Sequence, residues 1–230
     1  MDSKKTARIA GLFYLVVVLT GIFNLAYVPS RLITWDDPAA TFSSIMQQEM
    51  LFRLGILAGI ICFIAFLILP FILYKLLHSI NKSYATAMIM FAVVSVPISL
   101  TNLLNKFSVL TLISKADYLK VFETNELHTQ VMLYLDYYAN GIQIASIFWG
   151  LWLFPLGYLV FKSGFLPKAL GILLMAGCFG YLINFTGRFL YPGYSELGIS
   201  GFISMPASIG EIGICLWLLI RGVKQKYTIE

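Results

Sequence analysis

Charged residues are scarce in this sequence. Asp, Glu, Lys and Arg make up 12% of the 230 residues, and hydrophobic residues make up 59%. Ordinary soluble domains carry about 25% charged residues. A chain with so little charge needs lipid as part of its solvent, which excludes a soluble globular domain. We therefore expect one membrane domain over residues 1–230.

Histidine and cysteine are rare as well. His78 and His128 are the two histidines, too few for haem or zinc sites built on several imidazoles. Cys62, Cys178 and Cys215 are an odd number and form no C-x-x-C pair, so a disulfide framework is not expected. The sequence also lacks a phosphate loop, an H-E-x-x-H motif and a recognisable Ser-His-Asp set. It predicts no cofactor and no metal.

Long apolar runs are what the sequence has in abundance. Six of them, with charged flanks, predict membrane spans over about 7–28, 51–77, 84–114, 127–161, 168–191 and 204–223. Two shorter segments, 39–50 and 115–126, predict helices at the outer surface, between spans one and two and between spans three and four. The predicted fold class is an all-α, polytopic transmembrane helical bundle.

The distribution of charge predicts the orientation of these spans. Ten Lys and Arg residues flank them on one side with two acidic residues, whereas the other side has six basic and seven acidic residues. The basic side is cytoplasmic by the positive-inside rule, and both termini then lie in the cytoplasm. Because this asymmetry accounts for the net charge of +5, no nucleic-acid partner is predicted. The predicted partners are membrane lipids.

A carboxylate lies in the middle of the last span. The run 204–223 is apolar apart from Glu211 and Arg221 near its end. At about 1.5 Å per residue, Glu211 lies roughly 15 Å from Arg221, which is half of a ~30 Å hydrocarbon core. A charge at that depth costs a few kcal/mol, so such residues face a bundle interior or a wet cavity. Glu211 is therefore the first candidate for a functional residue.

Other polar residues recur at helical spacing near the predicted outer ends of the spans. Turning them toward one another costs less than exposing them to lipid. The sequence thus predicts an outward-open polar vestibule, with Arg53, Lys106 and Arg188 at its rim and Glu211 at its floor. The predicted ligand-binding residues are Glu211, Arg188, Lys106, Arg53, Asn102, Asn184, Asp136, Asn140 and Gln143.

Each of these residues also has a plainer interpretation. The three cations suit interfacial anchors that reach to lipid head groups. The amides suit hydrogen bonds that hold helices together. Asp136 suits a solvated position above the membrane. The segments 100–107 and 182–189 share the pattern L-x-N-x-x-x-[KR]-F, which raises the hypothesis of a duplicated hairpin, although Pro70 and Pro155 do not align.

Several short stretches together resemble the DUF4386 family of bacterial membrane proteins. They are Ala10-Gly11-Leu12-Phe13-Tyr14, Leu51-Phe52-Arg53-Leu54-Gly55, Ala116-Asp117-Tyr118-Leu119, Phe148-Trp149-Gly150-Leu151-Trp152, Pro155-Leu156-Gly157-Tyr158, Ser163-Gly164-Phe165-Leu166-Pro167, Leu170-Gly171, Gly210-Glu211 and Leu216-Trp217-Leu218-Leu219. The resemblance covers nearly the whole chain. It implies a multi-pass protein of the bacterial plasma membrane, and it implies no catalytic residues.

Three functional hypotheses follow. The first is a binding or transport protein, whose vestibule takes a small anionic or amphiphilic ligand; a non-enzyme is favoured because no nucleophile or metal set is recognised. The second is an intramembrane lipid-modifying enzyme with Glu211 or Asp136 as general base. The third is an assembly subunit whose polar residues only join helices. The sequence gives no oligomeric state.

Overall fold

The structure is a computed structural model that describes residues 3–114 and 116–223. These residues form helices and no strand. The α-helices are α1 (Ser3–Ile22), α2 (Val28–Leu32), α3 (Pro38–Gln47), α4 (Glu49–Leu77), α5 (Lys82–Asn102), α6 (Leu104–Ile113), α7 (Thr124–Lys162), α8 (Lys168–Leu190) and α9 (Ser200–Ile220). A π-helical segment (Phe23–Tyr27) and two 3₁₀ turns (Asp117–Val121 and Pro192–Leu197) complete the described helices.

Six stretches of the described chain are long and apolar enough to cross a membrane. They are Ser3–Leu32, Glu49–Leu77, Lys82–Ile113, Thr124–Lys162, Lys168–Leu190 and Ser200–Ile220. Each matches one predicted span, and their ends differ from the predicted ones by a few residues. The prediction of an all-α bundle with six spans is confirmed.

The spans form a closed ring. Each span packs against the spans before and after it in the chain, and α9 also packs against α1. Trp152 of α7 is fully buried inside this ring. Its indole lies 4.9 Å, edge to face, from the ring of Phe66 and 6.0 Å from that of Tyr14. The interior is therefore held together by aromatic packing between α1, α4 and α7.

Both predicted short helices between spans are present, and the second is a 3₁₀ helix that is shorter than predicted. Helix α3 begins as expected, because the Asp37 carboxylate accepts a hydrogen bond of 2.9 Å from the backbone N–H of Ala40. The second segment is a 3₁₀ turn, Asp117–Val121, and Lys115 lies outside the described residues. A reciprocal capping box between Glu123 and Glu126 starts α7 earlier than predicted, which limits the second short helix to Asp117–Val121.

Two of the spans are locally irregular. In the first span, α1 passes through the π-helical segment into α2, and the third span changes from α5 to α6 at Leu103. The two irregularities meet, since Lys106 of α6 binds Asn24 of the π segment. Both sites depart from regular α-helical hydrogen bonding, yet the buried face continues across them at helical spacing, as Asn102 and Lys106 show.

Candidate functional site

A cavity of about 260 Å³ lies at the seam between α1 and α9. We call it the seam pocket. Side chains from five of the six spans line it, and among the described residues the fifteen that do so include no Lys and no Arg. The lining residues are Tyr14, Val17, Val18, Gly21, Ile22, Leu25, Cys62, Phe63, Phe66, Trp149, Trp152, Tyr181, Ser208, Glu211 and Ile212.

Glu211 provides the charged group of this pocket. Its side chain is partly buried, and the Tyr14 hydroxyl donates a hydrogen bond of 3.2 Å to its Oε1. Within the described residues no cation lies close enough to form an ion pair with it. The carboxylate therefore keeps acceptor capacity that the bundle does not use.

The seam pocket exists because α1 and α9 are close at one end and apart at the other. In the inner half, a Cβ placed on Gly11 would lie 2.5 Å from the backbone nitrogen of Leu219, so the two backbones nearly touch. In the outer half, a Cβ placed on Gly21 would meet no atom of α9 within 4 Å. Ile22 and Ile212, which line the pocket, are 53% and 43% exposed on the surface that faces lipid. The pocket thus opens sideways toward the bilayer.

The remaining lining is dominated by aromatic rings. Six of the fifteen residues are Phe, Tyr or Trp, contributed by α1, α4, α7 and α8. Phe63 and Trp149 stack with centroids 6.3 Å apart, and Trp152 packs edge to face on Phe66. Trp152 Nε1 is buried without a hydrogen-bond partner among the described residues. An apolar space with one carboxylate beside it suits a molecule that has an apolar body and one polar group.

Lys106 is buried elsewhere, and its predicted place at a rim is wrong. It is 2% exposed, and its Nζ donates a hydrogen bond of 2.7 Å to Asn24 Oδ1. Nζ also lies 4.2 Å from the ring centroid of Tyr138, whose hydroxyl accepts a hydrogen bond of 3.1 Å from Asn24 Nδ2. Lys106 lies four residues after Asn102 on the same buried face of the third span, so its side chain points into the bundle and not to an outer rim.

Asn102 and Asn184 hold helices together. Each is 8% exposed. Asn102 Nδ2 donates to the Tyr138 carbonyl at 2.8 Å, which joins α5 to α7. Asn184 Nδ2 donates to Ser204 Oγ at 2.8 Å and joins α8 to α9, while its Oδ1 accepts from the Tyr194 hydroxyl. These contacts match the plainer interpretation, interhelical hydrogen bonding.

The two predicted rim arginines are exposed. Arg53 forms an ion pair of 2.6 Å with Glu49, one turn away on α4, and Arg188 lies near the end of α8. Neither lines the seam pocket. They suit the interfacial anchoring that was the alternative for these residues.

The predicted polar stripe of α7 also faces outward. Asp136 and Asn140 are exposed, and Gln143 Nε2 lies 3.4 Å from Asn140 Oδ1 on the same helix. Of the nine predicted residues, all of which are described, Glu211 alone lines the seam pocket. The nine residues therefore do not form the predicted outward-open vestibule. Ligand binding by the other eight stays a prediction.

The sequence reasoning missed the aromatic lining, although a signal for it was present. Trp152 lies ten residues before the basic flank at Lys162, and Glu211 lies ten residues before Arg221. Tyr14 lies ten residues after Lys4. Equal distances from the predicted inner anchors place these side chains at one depth in the membrane. Comparing the predicted depths of residues in the membrane would thus have grouped three lining residues, Tyr14, Trp152 and Glu211.

These features define an integral membrane protein whose described residues form six spanning helices, with the seam pocket between them. A family model described as "Domain of unknown function (DUF4386)" matches residues 9–222. The chain belongs to this family, as its resemblance predicted.

A relative from the archaeon Archaeoglobus fulgidus, named "Uncharacterized protein", is 36% identical over 97 residues. The matched stretch covers 42% of this chain and 55% of the relative, so the chain spans about half of that relative's length. No solved structure matches the chain.

Among the described residues, no group of three or more His, Cys, Asp or Glu could hold a metal ion.

Proposed function

We propose that the protein binds a small amphiphilic molecule in the seam pocket, with the polar group of that molecule at Glu211. The observation that carries this proposal is a cavity of about 260 Å³ that combines an apolar lining with one carboxylate. Ligand pockets usually measure about 300–1,000 Å³. The seam pocket is therefore sized for a head group or a small body, and a longer tail can extend between α1 and α9 into the lipid.

The amphiphilic form of the ligand is better supported than the anionic form. The cations expected to attract an anion are elsewhere, since Arg53 and Arg188 are exposed and Lys106 is bound to Asn24. The charged group found in the seam pocket is Glu211, which repels an anion.

Binding is also favoured over the other two hypotheses. An enzyme that uses Glu211 as general base is less well supported, because the side chain that bonds to Glu211 is the Tyr14 hydroxyl and the rest of the lining is mostly apolar. Asp136, the other proposed base, is exposed and outside the seam pocket. In a purely structural bundle, close packing would fill such a space with side chains. Transport would require the contact at Gly11 to open, so binding is the simpler proposal.

The proposal includes the plasma membrane as the location. The positive-inside pattern of the sequence supports an orientation with the seam pocket open toward the outer leaflet. Molecules that partition into that leaflet would reach the opening between Ile22 and Ile212 without leaving the lipid.

Fluorescence quenching tests the proposal, because two of the four tryptophans, Trp149 and Trp152, line the seam pocket. The purified protein in nanodiscs of zwitterionic lipid is titrated with three 8-bromooctyl probes, which carry an alcohol, a trimethylammonium or a sulfate group. Saturable quenching is expected with at least one probe.

Gly21→Leu supplies the decisive variant, because it fills the seam pocket while the nearest atom to its Cβ, Cys62 Sγ, lies at an ordinary 3.5 Å. The matched control is Gly201→Leu on α9, where a Cβ meets no atom within 4 Å and the site lies outside the pocket. Saturation should disappear in Gly21→Leu and persist in Gly201→Leu. If no probe saturates, or if Gly21→Leu saturates like the wild type, the proposal is wrong.

A further inference from the structure

We infer that the ligand of the seam pocket is a lipophilic organic cation, such as an alkyl or aryl ammonium, with its positive charge between Glu211 and the surrounding aromatic rings. This inference rests on the proposed function and specifies its ligand. Three observations lead to it: the charge of the pocket, the faces of its rings and the chemistry of Lys106.

The ionisable group of the seam pocket is a carboxyl group that has no ion-pair partner in the described chain. Glu211 accepts one hydrogen bond, from Tyr14 at 3.2 Å, and within the described chain no Lys or Arg lines the cavity around it. An ionised carboxylate inside a membrane bundle is stabilised by a positive partner. Because the chain supplies none, a cationic ligand would complete the pair.

The aromatic lining suits a cation that has few or no N–H donors. Rings of Trp, Tyr and Phe present negative faces, and they attract ammonium groups within about 6 Å of the ring centroid. The walls of the seam pocket carry Trp149 stacked with Phe63, and Trp152 packed against both Phe66 and Tyr14. Quaternary ammonium groups need such faces, since they have no N–H to donate to the carboxylate.

The same bundle already uses this chemistry for a cation of its own. The ammonium of Lys106 lies 4.2 Å from the centroid of the Tyr138 ring and 2.7 Å from an oxygen of Asn24. One oxygen acceptor and one aromatic face surround the Lys106 amine there, away from water. The seam pocket offers a stronger acceptor and more rings, and its cation has to come from outside.

Lipophilicity follows from the route of entry. The opening between α1 and α9 is bordered by the exposed apolar side chains of Ile22, Leu25 and Ile212. A molecule that passes this border is solvated by acyl chains until its head group reaches Glu211. Strongly hydrated inorganic cations would not take that route, because they would have to shed their water first.

The three 8-bromooctyl probes test this inference directly, since they share one chain and differ in head-group charge. The expected order of affinity is trimethylammonium, then alcohol, then sulfate. Contact with aromatic faces and an ionised carboxylate should make the cation bind at least about tenfold more tightly than the alcohol. Glu211→Gln should reduce that ratio to near one and leave binding of the alcohol in place.

Two further variants make the result specific. Glu211→Asp retains the negative charge and should retain the preference for the cation. Asp136→Asn removes an exposed carboxylate of α7 that lies outside the seam pocket, so it should leave the preference unchanged. Thermal unfolding of each variant in the same nanodiscs checks that it is folded.

The possible outcomes separate this inference from the proposed function. Saturable binding that is equal for the three probes overturns the inference and leaves the proposed function standing. Tightest binding of the sulfate probe overturns the inference and also the placement of the ligand's polar group at Glu211, because a carboxylate repels an anion. No saturable binding by any probe overturns the proposed function itself.

Discussion

Lys106 and Glu211 are both ionisable residues within membrane spans, and they differ in their burial and in their hydrogen-bond partners. Lys106 is 2% exposed and bound at 2.7 Å by Asn24, and it lines none of the cavities found around the described residues. Glu211 is partly exposed to a cavity and has one longer hydrogen bond of 3.2 Å. The chain supplies partners for the lysine and leaves space beside the carboxylate.

The difference teaches how to separate structural charges from functional ones in a bundle. A charge whose partners come from neighbouring helices contributes to folding, and removal of a partner should cost stability. A charge beside an open space contributes little to folding, and its removal should change binding. Each prediction below tests one side of this comparison.

The largest effect on stability is expected at Asn24. Asn24→Ala removes the acceptor of Lys106 Nζ and the donor to the Tyr138 hydroxyl. Because hydrogen bonds to buried charged groups are worth about 1.5–3 kcal/mol, the free energy of unfolding should fall by about 2–3 kcal/mol. Titration with denaturing detergent in mixed micelles measures it.

Asn140→Ala, on the exposed face of α7, is the control for that measurement and should change the value by less than about 0.5 kcal/mol. The double variant Asn24→Ala/Lys106→Met should lose less stability than the sum of its two single variants, because they share one interaction. Equal losses in Asn24→Ala and Asn140→Ala would contradict a structural role for Lys106.

Glu211→Gln is expected to act in the opposite direction. A carboxylate in the membrane interior carries a cost that the isosteric amide avoids. The amide oxygen can also still accept a hydrogen bond from Tyr14. The free energy of unfolding should therefore stay equal or rise by up to about 1 kcal/mol. A loss of several kcal/mol in the same detergent titration would show that Glu211 is part of the structural framework.

A smaller effect is expected for the hydroxyl beside the carboxylate. Tyr14→Phe removes the hydrogen bond to Glu211 and keeps the ring contact with Trp152. Side-chain hydrogen bonds between membrane helices average about 0.6 kcal/mol, and a loss of that size is expected. Tyr181→Phe is the matched control, since Tyr181 lines the same pocket and none of the described residues forms a hydrogen bond with its hydroxyl.

The smallest effects are expected for the predicted rim arginines. Arg53→Ala breaks an exposed ion pair with Glu49, and such pairs contribute about 0–1 kcal/mol. Arg188→Ala removes an exposed side chain at the end of α8. Neither variant should change the affinity for the bromooctyl probes. A drop in affinity with either variant would restore the predicted outer vestibule.

Much of the fold could be predicted because it depends on one-dimensional patterns. The lengths of the apolar runs and their charged flanks located all six spans, and the cost of a charge in lipid indicated that Glu211 faces away from acyl chains. Distance from an anchor also gives depth in the membrane. These quantities need no knowledge of how helices are rotated.

The candidate site could not be predicted as well, because it depends on rotation about each helix axis. Lys106 continues the buried face of Ser99 and Asn102, as helical spacing predicts, but its partner Asn24 lies on another span. Spacing along one helix does not give the neighbouring helix that its polar face meets. The predicted vestibule grouped residues by their depth in the membrane, and it therefore combined residues that the structure places between different pairs of helices.

The near-contact of Gly11 with Leu219 also has a consequence for biosynthesis. Helix α9, which carries Glu211, is the last of the described helices to be synthesised, and it closes the ring against α1. The Tyr14 hydroxyl that bonds to Glu211 is therefore made before the carboxyl group that uses it.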